Sequence, residues 1–344
     1  MDDRQKSLQA WVNQTLANKS LAEPQGSLLT VSGDASFRRY FRQLVEQGSY
    51  IAVDAPPDKE NSASFVNIAK EWFVQGVNVP QIIHSDLEQG FMLLSDMGDQ
   101  MLFPLLEEGK ADVYYPKAFD SLIAIQQTKY DLPSYDAELL DREMALFSDW
   151  YLAEHLNFKM SRSDQLMLSE TFELLRESAL GQVQVPVHRD YHSRNIMVLA
   201  DDSLGIIDFQ DGVHGPITYD LASLLRDAYI AWPQEQVESW VALYFEKARS
   251  AGLIGALSND QLMLWFDWMG LQRHLKVVGI FARLRIRDGK SGYMEDIPRT
   301  FKYIRQVSAK YDALTAFNQW LEITLVPFLQ ANGHVVLPLS ETET

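Results

Sequence analysis

The sequence predicts an α+β chain in two lobes, a small N-terminal lobe built on an antiparallel sheet and a larger, mainly helical C-terminal lobe. Three observations carry this expectation. Short apolar runs separated by turn residues crowd the first 95 residues. Long segments with apolar residues at helical spacing fill most of the remainder. A strand-rich island at 183–208 interrupts those helices. The predicted division is 1–95, a hinge at 96–100, a second lobe at 101–335 and a flexible tail at 336–344.

Residues 5–18 carry Leu8, Trp11, Val12 and Leu16 at helical spacing. Ser27–Val31, Phe37–Val45 and Tyr50–Asp54 read as three strands of a meander, parted by Gly33 and by the turn at 46–49. Residues 62–75 present Phe65, Ile68, Ala69, Trp72 and Phe73 on one helical face, and Gly76 ends it. This is the one helix expected to lie against the sheet. Two further strands, Gln81–His84 and Phe91–Leu94, flank the turn at 86–90. Helices are predicted at 112–129, 136–157 and 162–180, the last opened by a capping box of Ser161 and Asp164. Strands follow at Val183–Val187, Ile196–Leu199 and Gly205–Asp208. From about 218 onward the pattern is helical, with Ser258 and Gln261 as another capping box.

Composition excludes several classes of function. The 344 residues hold no cysteine, so disulfides, thiolate nucleophiles and cysteine-based zinc sites are out. A net charge of −17 disfavours nucleic acid and anionic membranes as partners. No run reaches the roughly 18 apolar residues of a membrane span. The charged start at 2–6 lacks the apolar core of a leader peptide. A cytoplasmic protein acting on a small molecule, with no protein partner implied, is the expectation.

The chemistry concentrates between His188 and Asp208. Asp190 and Asn195 stand five residues apart on a predicted loop, and Asp208 ends a hairpin that folds back towards Asn195. Phosphoryl transfer needs a carboxylate to orient and deprotonate an attacking hydroxyl, and hard oxygen ligands for Mg²⁺ on the nucleotide phosphates. Asp190 suits the first task; Asn195 and Asp208 suit the second. ATP and Mg²⁺ are therefore the expected cofactors.

His188-x-Asp190-x₄-Asn195, the triplet Ile207-Asp208-Phe209 and the segment Gly215-Pro216-x-x-Tyr219-Asp220-Leu221-Ala222 resemble the family of aminoglycoside phosphotransferases, choline kinases and homoserine kinases, small-molecule relatives of protein kinases. The resemblance spans roughly 28–310 and implies a protein-kinase-like fold, with 1–95 as the nucleotide-binding lobe. It also implies that His188 and Asp220 support the catalytic loop. Within that family, the segments 33–42, 54–57, 272–283 and 287–290 are most similar to the anomeric N-acetylmuramate/N-acetylglucosamine kinases of cell-wall recycling. The implied reaction is phosphorylation of the anomeric hydroxyl of an amino sugar. Aminoglycoside, choline or homoserine acceptors are the alternatives, and a nucleotide-binding pseudokinase is the alternative of another class.

Nucleotide-binding candidates are Gly33, Asp34, Ala35 and Ser36, whose backbone N–H groups suit phosphate, together with Ser95, Asp96 and Met97 at the hinge. One departure motivates the pseudokinase alternative. The strand Ile51-Ala52-Val53 is followed by Asp54, where kinases place lysine. Arg38, Arg39, Arg42 and Lys59 are candidate replacements for that cation, and Glu71 reads as a solvated helix residue. The segment Arg273–Lys290 has six basic side chains against the single acid Asp288. Arg273, His274, Lys276 and Arg283, with Asp211, are candidates for substrate contact, since guanidinium and ammonium groups recognise carboxylates.

Overall fold

The computed structural model describes residues 2–33 and 37–339. The elements run α1 (Asp3–Asn18), β1 (Pro24–Gly33), β2 (Arg39–Val45), β3 (Gly48–Asp54), α2 (Ser62–Val74), β4 (Ile82–Asp86), β5 (Phe91–Ser95), α3 (Leu102–Glu107), α4 (Ala111–Gln126), α5 (Ala137–Leu146) and α6 (Arg162–Leu180). Then come β6 (Gln184–Val187), β7 (Ile196–Val198), β8 (Leu204–Ile206), β9 (Val213–Pro216), α7 (Tyr219–Leu225), α8 (Gln234–Ser250), α9 (Asn259–Asp288), α10 (Ile297–Lys310), α11 (Thr315–Trp320) and α12 (Val326–Ala331).

The chain forms two compact units, Met1–Glu108 with Thr128–Tyr130 and Arg194–Asp211, and Gly109–Gln127 with Asp131–Ser193 and Gly212–Thr344. The hairpin at 194–211 thus joins the N-terminal residues, whereas the sequence-based division kept it within 101–335. Hydrogen bonds explain why: in the backbone Ile206 N donates to Asn78 O and Val198 N to Gln100 O, and the Asn78 side chain donates through Nδ2 to Leu204 O.

In the first unit, five antiparallel strands stand in the order β1-β2-β3-β5-β4. The sheet carries α1 as well as α2, so the expectation of a single helix is corrected. Leu8, Val12 and Leu16 of α1 bury against Leu28, Phe41, Ala52 and Leu93. Arg4 of α1 also donates through Nε to Asp54 at 2.9 Å, and Arg39 donates to the other oxygen at 3.0 Å. Asp54 is fully buried. It is therefore spent on fastening α1 to the sheet, a use that sequence spacing does not reveal.

In the second unit, helices surround two short strands, β6 and β9, paired antiparallel. β9 was not expected. Four residues with Gly215 and Pro216 look like a turn, yet Val187 pairs with Val213 and Gln184 with Pro216. The capping box of Ser161 and Asp164 is present, and Ser258 Oγ accepts from Gln261 N. The 30-residue α9 is about 45 Å long at 1.5 Å per residue. It ends at Gly289, whose left-handed φ of 69° suits glycine. Phe147, Tyr151, Leu271, Leu275, Val278, Phe301 and Ile304 form the core around it. At Gly279 an added Cβ would meet the Leu146 carbonyl oxygen at 2.4 Å, so the absence of a side chain lets α9 touch the end of α5.

Candidate functional site

The second unit holds the Asp190 loop, which leaves β6 at Val187. Arg189 adopts a φ of 74°, unusual for a residue with a side chain. Such a conformation persists only where surrounding bonds over-determine it. Asp220, buried on α7, supplies them: its oxygens accept the backbone N–H groups of His188 at 2.7 Å and Arg189 at 3.0 Å. Burial pushes Asp220 up to about 7, opposed by those two N–H groups. His188 is fully buried, and its Nδ1 accepts Asp190 N–H at 3.2 Å. On the far side, Tyr191 Oη donates to Ala118 O at 2.7 Å, and Asp227 takes both Ser193 N–H and its hydroxyl.

Burial alone would raise Asp190, but Lys276, His192, His188 and Arg273 together draw it below the usual carboxylate value. It is thus ionised at neutral pH, the state in which a carboxylate orients and accepts from a hydroxyl. Arg189 and Lys276 both pair with Glu143. Burial opposes the charge of Glu143, and these two cations overcome it. Lys276 Nζ also donates to Tyr219 Oη at 2.8 Å, and Tyr135 Oη donates to Glu143. The sequence reading missed Glu143, Tyr135 and Tyr219. Glu143 lies on α5, Tyr219 on α7 and Tyr135 between α4 and α5, so no local motif announces the cluster.

The first unit holds Asn195 and Asp208 on the β7–β8 hairpin. Asn195 Nδ2 donates to Asp208 Oδ2 at 3.3 Å, and Ile207 N donates to Asn195 O at 3.1 Å. Asp208 is itself left-handed, with φ 66°. Phe209 is fully buried and stacks on Phe65 of α2 at 4.9 Å, with Trp72 at 5.6 Å, fixing the residue beside Asp208.

A cavity of about 420 Å³ opens beside this pair within the same unit. Val31, Tyr40, Arg42 and Ile51 of the sheet line it, as do Leu94, Ser95, Asp96 and Met97. Met197, Ile207, Asn195 and Asp208 line it from the hairpin. An apolar slot that ends in a carboxylate and an amide has the character of a site for a planar base bearing phosphates. Gly205 admits Met97: a Cβ there would stand 2.8 Å from its sulfur. The Asp96 carboxylate is occupied by Arg42, by Ser49 at 2.6 Å and by Gly98 N–H at 2.9 Å. Its burial is outweighed by these donors, so it stays below the usual carboxylate range.

The remaining predicted residues divide. Gly33 ends β1, while Asp34, Ala35 and Ser36 lie outside the described residues, as does the end of the tail from 340. Of the candidate cations, Arg39 is committed to Asp54 and Asp2, Lys59 is exposed, and Arg42 reaches the cavity. Arg38 is buried and pairs with Glu60, just ahead of α2, at 3.3 Å. Glu71 is exposed. Asp211 is exposed after the hairpin. The basic segment does not form one face. Arg273, His274 and Lys276 are buried, Arg283 is half-buried, and Arg285 and Arg287 are exposed. His274 faces away from the Asp190 cluster: its Nε2 meets Arg226 O at 3.0 Å and its ring stacks on Tyr303 at 4.8 Å.

Residues 27–253 match the model of the phosphotransferase enzyme family. The chain is 42% identical over 327 residues to the N-acetylmuramate/N-acetylglucosamine kinase of Pseudomonas aeruginosa, covering 93% of this chain and 96% of that protein. It is 39% identical over 318 residues to the protein of the same name from Neisseria meningitidis, covering 90% and 93%. Among solved structures, a choline/ethanolamine kinase family protein from Mesorhizobium loti superposes with a TM-score of 0.61 at 13% identity, covering 90% of this chain and 99% of that one. The fold is thus the kinase-like α+β fold, and the chain belongs to the phosphotransferase enzyme family.

Proposed function

We propose that this protein transfers the γ-phosphate of ATP to the anomeric hydroxyl of N-acetylmuramate or N-acetylglucosamine, in the cytoplasm, as a step of peptidoglycan recycling. The acceptor is supported by near full-length similarity to kinases of that name. The reaction class is supported by one observation above all: an ionised Asp190 on a loop whose strained backbone is pinned by Asp220.

In this reading Asp190 orients the acceptor hydroxyl and takes its proton. An anomeric hydroxyl is more acidic than an ordinary alcohol, which eases that demand. His188 and Asp220 hold the loop. The nucleotide base occupies the slot lined by Tyr40 and Ile51, against Ser95–Met97, and Gly33, Asp34, Ala35 and Ser36 are the residues assigned to the phosphates. Arg38, paired with Glu60 ahead of α2, stands in for the missing strand lysine.

The donors near the cavity fit Mg²⁺, which takes one or two protein oxygens and completes its shell with phosphates and water. Asn195 spends Nδ2 on Asp208, which supports Asn195 Oδ1 and the Asp208 carboxylate as the oxygens for the ion. When bound, the ion neutralises charge on the transferring phosphate.

The deciding experiment is Mg²⁺-dependent ATP consumption by the purified protein against N-acetylmuramate, N-acetylglucosamine, kanamycin, choline and homoserine. Turnover of the N-acetyl sugars with phosphate at C1 is expected. Turnover confined to another acceptor would discard the sugar, and ATP binding without any turnover would favour the pseudokinase.

A further inference from the structure

Arg273 lies in the second unit, on α9 one turn before Lys276. It is 4% exposed. Among the described residues its Nε and Nη1 are buried without a hydrogen-bond partner. Among the described residues, other buried cations of this unit have anions: Lys276 pairs with Glu143, and Arg226 with Asp267. Buried N–H groups of a guanidinium left without acceptors are costly, and folding removes such groups unless something else occupies them. Neighbouring Gln272 is fully buried, and its Oε1 also lacks a donor, although its amide nitrogen reaches Tyr135 Oη at 3.4 Å. Arg273 is one of the positive charges acting on Asp190 and Asp220. It therefore sits within electrostatic reach of the group that handles the acceptor hydroxyl.

We infer that Arg273 is a specificity-determining residue that receives a carboxylate carried by the acceptor sugar. This rests on the proposed sugar-kinase reading. A guanidinium fork offers two parallel N–H groups, the geometry that a carboxylate takes bidentately. The transferring phosphate is the other anion in the reaction. It is the weaker candidate, because Arg273 belongs to the unit that carries Asp190, whereas the nucleotide cavity is lined wholly by the other unit. Of the two proposed acceptors, N-acetylmuramate bears a lactyl carboxylate and N-acetylglucosamine bears none. The same site would thus treat two otherwise similar sugars differently.

The test compares kcat/KM for the two sugars in the full chain and in Arg273→Met and Arg273→Lys. Loss of one charge-assisted bidentate contact lowers the ratio of N-acetylmuramate to N-acetylglucosamine turnover by about 10- to 100-fold in Arg273→Met, through KM. Arg273→Lys falls between. The methyl ester of N-acetylmuramate serves as the second arm. It loses about as much with the unaltered protein and nothing further with Arg273→Met, a pattern that a purely structural residue would not produce. Thermal unfolding of both variants monitors folding. A ratio unchanged within about twofold, or an equal kcat loss on both sugars, overturns the carboxylate assignment while leaving the sugar-kinase reading intact. If calorimetry finds neither sugar bound by the unaltered protein, both fall together.

Discussion

Asn195 donates through Nδ2 to Oδ2 of Asp208 at 3.3 Å, across a hairpin whose strands pair Ile196 with Ile206. The bond orients the amide, so each residue depends on the other. Asp208→Ala removes a charged ligand and is expected to abolish Mg²⁺-dependent nucleotide binding, whereas Asn195→Ala weakens it by about 10- to 100-fold. Calorimetric titration of ATP with and without Mg²⁺ reads both. Unaltered Mg²⁺ dependence in Asp208→Ala would remove it from the metal role.

Asp190→Ala should bind ATP normally and lose turnover by at least about 10²- to 10⁴-fold, the contribution of a positioned general base. Single-turnover transfer beside equilibrium nucleotide binding separates the two. Near-normal transfer would sink the assignment.

Asp220→Ala strips two buried N–H groups of their acceptor at a strained residue. A loss of about 2–5 kcal/mol of stability is expected, with kcat falling more than KM changes because the Asp190 loop loses its anchor. Denaturant unfolding and steady-state kinetics measure each effect. A variant stable to within about 0.5 kcal/mol would mean that the loop holds its shape without Asp220.

Gly279→Ala drives a methyl group into the Leu146 backbone. Separating α9 from α5 costs about 1–3 kcal/mol, visible as a lower thermal midpoint with nucleotide affinity unchanged. An unchanged midpoint would show that the helix contact yields freely.

Burial holds His155 near 4 and His274 near 3, both below the ordinary 6.5. At these two residues the unfolded chain therefore binds more protons than the folded one below pH 6.5, whereas Asp220, raised to about 7, acts in the opposite sense. The stability present above that pH is lost as pH falls towards 4 and then 3. Unfolding midpoints measured from pH 7.5 to 4.5 should decline, and His155→Gln should shallow the decline. An identical slope in the variant would exclude His155 as a contributor.

The reach of local patterning is visible in particular residues. Asp190, Asn195 and Asp208 were legible because their placement depends on a loop and a hairpin only 19 residues long, where backbone geometry leaves few alternatives. The capping residues Ser161 and Ser258 were legible for the same reason: each meets a backbone amide three residues on. β9 escaped notice, since four residues become a strand only when β6 is there to pair with them.

Long-range pairing decided the rest. Sequence alone pointed to the Asp190 loop, the metal-ligand candidates Asn195 and Asp208 and a sheet followed by helices, because those follow from spacing over a few residues. Asp54 in the lysine position read as a defect; the fold turned it into an anchor for Arg4 and Arg39, 50 and 15 residues away. Arg38 and Glu60 became an ion pair, and the hairpin at 194–211 joined the N-terminal unit. His274 and Arg273 are neighbours in sequence, yet one is stacked on Tyr303, while the other buries Nε and Nη1 without a partner among the described residues and acts electrostatically on Asp190. Successive helical residues point about 100° apart, and only the packing of α9 against its neighbours determines which of them meets a partner.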